Sequence, residues 1–281
     1  MKLREFKSYF NEELKSYPLT ERQLFLQRIC EYFLDLKPHE LVLSYETDLS
    51  STAVNSLKLA MNRLKNKEPL QYILGTSYFF GLEFSVDPCV LIPRPETEEL
   101  VAWILTHFKK NEAPKILDLG TGSGCIAVAL AKQLPNAQVY AMDASPEALK
   151  LAKTNAKNNE VEVEFFHGNM LEWTSPEQSF DLIVSNPPYV LNSEQSKMAS
   201  NVLDYEPHLA LFVDDNDPLI FYKALRKIAL QNLHSKGFCF MEINEAYGPD
   251  TQLLFGGSDF RETALKKDTF GKDRMLKTQK K

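Results

Sequence analysis

Four consecutive residues, Asn186-Pro187-Pro188-Tyr189, join an amide, a stiff turn and an aromatic ring. They follow an apolar run, Phe180 to Ser185, that predicts a buried strand. Two prolines end such a strand, because proline fixes φ and donates no ladder hydrogen bond. The amide of Asn186 can hydrogen-bond an NH2 group, and the ring of Tyr189 can lie on a flat group. The tetrapeptide therefore suits a planar substrate carrying an amino group. The competing interpretation is a loop with two prolines and an incidental tyrosine.

A second group is Asp118-Leu119-Gly120-Thr121-Gly122-Ser123-Gly124, between a predicted strand and a predicted helix. Glycines there permit a tight turn and let a ligand approach the backbone. Asp143 ends the next predicted strand, 143 − 120 = 23 residues after Gly120. A carboxylate at that place binds the ribose hydroxyls of an adenosine cofactor. The spacing is not the dinucleotide G-x-G-x-x-G, because the third glycine comes one residue early and Cys125 holds its place. Asp118 would also repel a pyrophosphate. S-adenosylmethionine lacks phosphate and carries an ammonium group, so it tolerates the acid. A tight turn with no ligand is the alternative.

Other chemistries find little support. His39, His107, His167, His208 and His234 are dispersed, and Ser123 is not in a G-x-S-x-G elbow. Cys30, Cys89, Cys125 and Cys239 form no CxxC pair, so neither a metal site nor a disulfide framework is expected. The net charge of −6 argues against a nonspecific nucleic-acid binder, and the basic C-terminal tail is read as a solvated end. No apolar run is long enough to span a bilayer, and the N-terminus lacks the apolar stretch of a signal peptide. A cytoplasmic protein is expected.

The elements that must position these residues follow from periodicity. The first 70 or so residues predict helices: a T-x-x-Q capping box at Thr20–Gln23 precedes Leu26, Ile29, Phe33 and Leu36, and a Ser50-Ser51-Thr52 cap precedes Val54, Leu57, Met61 and Leu64. Nothing in this module has catalytic character. From Gln71 to Val90, aromatic and β-branched residues around Gly75 and Gly81 predict a hairpin. Pro93-Arg94-Pro95-Glu96-Thr97-Glu98-Glu99 then opens a helix whose apolar face is Val101, Ile104, Leu105 and Phe108, with acids at the positive end of the dipole. Strands are expected at Lys115–Leu119, Gln138–Met142, Val163–Phe166, Asp181–Ser185 and Phe238–Ile243, and helices at Cys125–Gln133, Pro146–Lys157 and Leu219–Leu233. This alternation predicts an α/β fold with a parallel sheet covered on both faces. Thr263–Lys267 and Arg274–Thr278 predict an antiparallel edge hairpin.

The glycine loop, Asp143 and the Asn-Pro-Pro-Tyr turn all fall at carboxyl ends of parallel strands, where open α/β sheets bind ligands. One pocket can then hold cofactor and amine together. An amide nitrogen is a poor nucleophile. Acceptors at the Asn186 side chain and the Pro187 carbonyl can orient it and favour positive charge on it during methyl transfer. Tyr189 would pack on the amide plane. No dedicated general base is evident.

These segments resemble the PrmC/HemK family of release factor N5-glutamine methyltransferases, a branch of the class I methyltransferases. The likeness covers nearly the whole chain. It is carried by the helical module, Leu91-Ile92-Pro93-Arg94-Pro95-Glu96-Thr97-Glu98, the run Leu117 to Gly124, and Ser185 to Tyr189. The resemblance implies a Rossmann-like class I methyltransferase fold with a mostly parallel sheet, an antiparallel edge hairpin and a small N-terminal helical domain. It implies a substrate-recognition domain over 1–70, a connector over 71–92 and an S-adenosylmethionine-dependent domain over 93–281. Gly120, Thr121, Gly122, Ser123, Gly124, Asp143, Met170 and Asn186 would contact the cofactor. Asn186, Pro187, Pro188 and Tyr189 would hold the glutamine of a Gly-Gly-Gln loop in a class I peptide release factor, with Asn186, Pro187 and Tyr189 taking part in catalysis. No membrane partner and no direct nucleic-acid substrate are expected. The chain departs from the family at Met170, where an aromatic is common, at Asn169, usually acidic, and at Glu242-Ile243-Asn244-Glu245, where a glycine often follows the isoleucine. Arg94 and Glu96 would brace the pocket or form a structural ion pair. The alternatives are an adenine-N6 nucleic-acid methyltransferase, a non-catalytic cofactor-binding protein and, more distantly, a nicotinamide oxidoreductase.

Overall fold

A computed structural model describes residues 1–173 and 179–281. They form two compact units: Met1–Gly75 with Ala199–Tyr205, and Thr76–Met198 with Glu206–Lys281. The first is helical, with α1 (Leu3–Glu13), α2 (Leu19–Leu34), α3 (Pro38–Leu43), α4 (Ser51–Lys65) and α5 (Leu70–Leu74). Its core gathers Leu3, Phe6, Phe10, Leu26, Ile29, Leu57, Met61 and Leu64. The predicted cap at Ser50 is present, its side chain accepting from the Ala53 amide at 3.1 Å. The predicted box at Thr20 is not. Pro18 precedes the helix instead, and Thr20 lies inside the first turn of α2. Pro18 fixes φ at the helix entry, and α2 begins directly after it without a side-chain cap, earlier than the T-x-x-Q pattern predicts.

The second unit opens with a hairpin, β1 (Thr76–Phe79) and β2 (Leu82–Ser85), and the helix α6 (Pro95–Leu105). The hairpin turn, Phe80-Gly81, has positive φ at both residues, as a two-residue type I′ turn requires. The uncommon Phe80 conformation is held by Glu98 on α6, whose carboxylate accepts the Phe80 amide at 2.8 Å. α6 stops at Leu105, short of Phe108, and the chain turns there on i→i−3 bonds from Thr106 and His107. Phe108 still packs edge-on against Phe238.

There follow β3 (Lys115–Leu119), α7 (Cys125–Gln133), β4 (Gln138–Asp143), α8 (Pro146–Asn158), β5 (Glu164–His167), β6 (Phe180–Ser185) and the short β7 (Val190–Leu191). After α9 (Ser200–Leu203), which belongs to the first unit, come α10 (His208–Leu211), β8 (Phe212–Val213), α11 (Ile220–Asn232), β9 (Leu233–Glu242), α12 (Gly248–Leu254), β10 (Phe260–Lys267) and β11 (Asp273–Lys280). Seven strands make one sheet in the order β10-β11-β9-β6-β3-β4-β5. β9, β6, β3, β4 and β5 are parallel, and β11 and β10 close the edge antiparallel. This is the expected Rossmann-like sheet with its edge hairpin. β9 begins at Leu233, five residues before the expected Phe238, and its polar start carries a register shift and a positive φ at Lys236. Such an irregular polar stretch has no alternation to detect.

Strand residues alternate between two cores. Leu182, Val184 and Phe240 join Leu100, Val101, Ile126 and Leu130 on one face. Leu117, Leu119, Ile183, Cys239 and Met241 join Tyr222, Leu225 and Ile228 on the other. The period of two therefore decides which helix layer each strand-end side chain meets. Among the described residues, no helix is long and apolar enough to cross a membrane.

A single buried amide ties the hairpin to the sheet's loops. Asn155 of α8 accepts from the Ser85 amide at 2.7 Å and donates to the carbonyls of Ser85 at 3.0 Å and Ser123 at 2.8 Å. Asn155→Ala leaves three backbone groups unpaired and should cost about 2–4 kcal/mol in denaturant unfolding. Asn155→Asp should cost more, since a carboxylate faces two carbonyls. Wild-type stability in either variant would refute this role.

Candidate active site

The site is built by register. Leu119 at the end of β3 lies opposite Met142 on one side and Ser185 on the other. The glycine loop, Asp143 and Asn186 therefore leave three adjacent strands at the same level. Strand order reverses between β3 and β6, and a crevice opens at the carboxyl ends there. It is a cavity of about 390 Å³, mostly apolar in its lining. Gly120, Thr121, Gly122, Ser123, Asp143, Asn169, Met170, Asn186, Pro187 and Pro188 all line it, together with Arg94 and Thr97.

The glycine loop is tied to the end of β4. The Gly120 and Thr121 amides both donate to the Met142 carbonyl at 2.9 Å, and the Gly122 amide donates to Asp143 Oδ2 at 2.7 Å. A phosphate-binding loop aims such amides at its anion. Here they are taken, and two carboxylates stand close by. Gly120 and Gly122 have positive φ and open space where a Cβ would be, so a side chain there would be strained and would fill the cradle. Gly124 differs: a Cβ would come within 3.1 Å of the Ala152 Cβ, and it does not line the cavity. Its φ is positive as well, and its missing side chain lets α7 start close against α8.

Asp118 is fully buried and receives the Thr121 hydroxyl on Oδ2 at 2.6 Å, while Oδ1 has no hydrogen-bond partner among the described residues. Burial pushes its carboxyl up to about 7, and the Asp143 charge adds to this; the Thr121 bond opposes it. Asp143 accepts from the Gly122 amide and, on Oδ1, from the Ser145 amide at 2.9 Å. Burial raises its carboxyl too, against those backbone donors. An orphaned buried carboxylate oxygen, a second acid and a cradle whose Gly120, Thr121 and Gly122 amides are taken fit a cofactor with a cationic group, ribose hydroxyls and no phosphate. Asn169 is committed locally, its side chain accepting the Leu171 amide at 3.0 Å, and Met170 packs beside Met142 under the cavity.

The Asn186 side chain donates through Nδ2 to Thr97 Oγ1 at 3.2 Å, and the Thr97 hydroxyl donates to Glu242 Oε2 at 2.7 Å. Tyr189 is not on the cavity wall where the sequence placed it. Its hydroxyl donates to Glu242 Oε1 at 2.7 Å and its ring packs on the α11 side of the core. Its backbone carbonyl accepts from Asn244 Nδ2 at 3.0 Å. Glu242 and Asn244, quoted above only as a family departure, thus pin both ends of Tyr189. Burial raises the Glu242 carboxyl, and the Thr97 and Tyr189 hydroxyls and Arg274 lower it. Arg94 pairs with Glu206 at 2.6 Å rather than with Glu96, and Glu206 also receives the Ile92 amide. Thr97, Glu206 and Glu242 are the residues that sequence reasoning left without a role. The detectable signal was a lone carboxylate ending the apolar strand Phe238-Cys239-Phe240-Met241.

Topology and cavity together define a class I, Rossmann-like methyltransferase fold. Solved structures agree: a methyltransferase from Pyrococcus furiosus superposes with a TM-score of 0.52 at 18% identity, over 82% of this chain and 98% of that one. A 16S rRNA N2 G1207 methyltransferase from Thermus thermophilus gives 0.51 at 19%, over 73% and 50%. The methyltransferase small domain model matches residues 100–206 and the PrmC N-terminal domain model matches residues 5–75. A release factor glutamine methyltransferase of Flavobacterium psychrophilum is 46% identical over 281 residues, 99% of each chain. One from Bacteroides thetaiotaomicron is 41% identical over 96% of this chain and 97% of its own. The chain belongs to the release factor glutamine methyltransferase family.

Asp118 sets a pH test. Burial in the fold lets it hold a proton up to about 7, whereas the unfolded chain releases it near 3.8. Its contribution to stability is therefore complete below about 4 and lost as pH rises through 7. Relative to wild type, Asp118→Asn should gain stability from pH 5 to 7, by up to about 1.4 kcal/mol per pH unit. Parallel melting curves across that window would rule this out.

Proposed function

We propose that this protein transfers a methyl group from S-adenosylmethionine to the side-chain amide nitrogen of the glutamine in the Gly-Gly-Gln motif of class I peptide release factors. The observation that carries this reading is the Asn186 amide. Its nitrogen is tied back to Thr97, so its oxygen is left for the cavity that the glycine loop and Asp143 also line. An acceptor oxygen there suits an incoming NH2 group. The names of the full-length relatives supply the release factor and the glutamine.

When bound, S-adenosylmethionine supplies an electrophilic methyl group on a sulfonium. Gly120, Gly122 and Asp143 would hold its amino acid and ribose parts, and Met170 would lie near the adenine. Asn186 Oδ1 would accept one N–H of the target amide, and the Pro187 carbonyl the other. Both acceptors orient the nitrogen and favour positive charge on it as the N–CH3 bond forms and the S–CH3 bond breaks to leave a neutral thioether. The nitrogen then gives up one of its protons. Pro187 and Pro188 stiffen the turn. Tyr189 supports it from behind through Glu242. The apolar lining excludes water, which strengthens these interactions. The N-terminal helical unit contains none of these residues and exposes Leu24, Val42 and Leu43; we assign it to recognition of the release factor. Four free cysteines fit work in the reducing cytoplasm.

Purified protein should label a class I release factor from methyl-labelled S-adenosylmethionine and leave its Gly-Gly-Gln Gln→Ala version unlabelled. Equal labelling of the two would sink the assignment, and labelling of DNA or RNA instead would favour the adenine reading. Asn186→Ala should cut kcat by about 100-fold or more while cofactor affinity by calorimetry changes only a few-fold. Near-normal turnover would remove Asn186 from the reaction.

A further inference from the structure

We infer that Thr97 and Glu242 are positioning residues that fix which way round the Asn186 amide sits, and thereby present its oxygen to the substrate. This rests on the reading of Asn186 given above. An asparagine amide is nearly symmetrical in shape, so its orientation is decided by its hydrogen-bond partners. With the nitrogen outward, the site would offer a donor to a substrate NH2 and repel it.

The chain of partners settles the direction from the buried end. Glu242 is 1% exposed and ends β9 on the α6 face, the face set by the strand's alternation. Its two oxygens receive two hydroxyls, Thr97 Oγ1 at 2.7 Å and Tyr189 Oη at 2.7 Å. A carboxylate is an acceptor only. The single hydroxyl hydrogen of Thr97 is thus used on Glu242, and toward Asn186 the Thr97 oxygen can only accept. Asn186 must then turn its Nδ2 to Thr97, as the 3.2 Å contact shows, and Oδ1 away from it. Thr97 is itself 2% exposed and rooted in the first turn of α6 behind Pro95, so it does not follow a moving side chain. The Pro93-Arg94-Pro95-Glu96-Thr97 segment acquires a purpose here. Arg94, held by Glu206, and Pro95 at the first helical position place Thr97 against the turn at Asn186.

The test compares Thr97→Val, Thr97→Ser and Asn186→Ala, alone and combined, in the release-factor assay. Melting and cofactor calorimetry confirm that each variant is folded. Thr97→Val keeps the shape and loses the hydroxyl. It should lower kcat about tenfold or more, with KM for the release factor and cofactor affinity within about threefold. Thr97→Ser keeps the hydroxyl and should stay within about threefold of wild type. In the Asn186→Ala background Thr97→Val should cost nothing further, because there is no amide left to orient. Full activity of Thr97→Val beside an inactive Asn186→Ala would overturn the inference and leave the proposed function standing. So would a loss in Thr97→Val that multiplies with that of Asn186→Ala, or equal losses in Thr97→Val and Thr97→Ser. An active Asn186→Ala would overturn both.

Discussion

The constraint on which the rest depends is the parallel register of three strands. With Leu119 opposite both Met142 and Ser185, the chain must leave β3, β4 and β6 side by side. A glycine turn, a carboxylate and an amide then share one edge although 66 residues separate Gly120 from Asn186, counted as 186 − 120. A slip of one residue in either pairing would send Ser185 or Met142 to the opposite face and carry the functional residue that follows with it. Both cores resist such a slip, because it would exchange the side chains packed into each.

Backbone groups that the sheet cannot pair are held by single buried or half-buried side chains from distant elements. Asn155 holds Ser85 and the loop at Ser123, Glu98 holds Phe80, and Glu206 holds Ile92 and Arg94. Each costs desolvation, repaid only while its partners stay in place. The site inherits its rigidity from these braces, since the loops themselves have little apolar surface to bury.

The sheet was legible because its strands are apolar runs with turn residues between them. The glycine loop, Asp143 and the Asn-Pro-Pro-Tyr turn were legible because their combination and spacing at the ends of parallel strands match a ligand-binding edge. The helix start at Leu19 was not, since a proline outweighed a capping pattern. Nor was the start of β9, where polar residues and a positive φ at Lys236 hide the strand. Tyr189 was placed on the substrate because an aromatic next to an amide has an obvious use. The sequence carries no sign that Glu242, 53 residues on, takes its hydroxyl. Partners of that kind depend on which face a strand end presents, and this requires the register.

Gly124 and Ala152 bear on how such a protein can change over time. A Cβ added at Gly124 would sit 3.1 Å from the Ala152 Cβ, tighter than ordinary packing. A side chain at Gly124 needs Ala152 to give way, and the positive φ adds strain. Enlarging Ala152 would lever the start of α7 away from α8 and open the cofactor cradle from behind. The pocket in front is shaped by the volume missing at this small pair as well as by the side chains that line it.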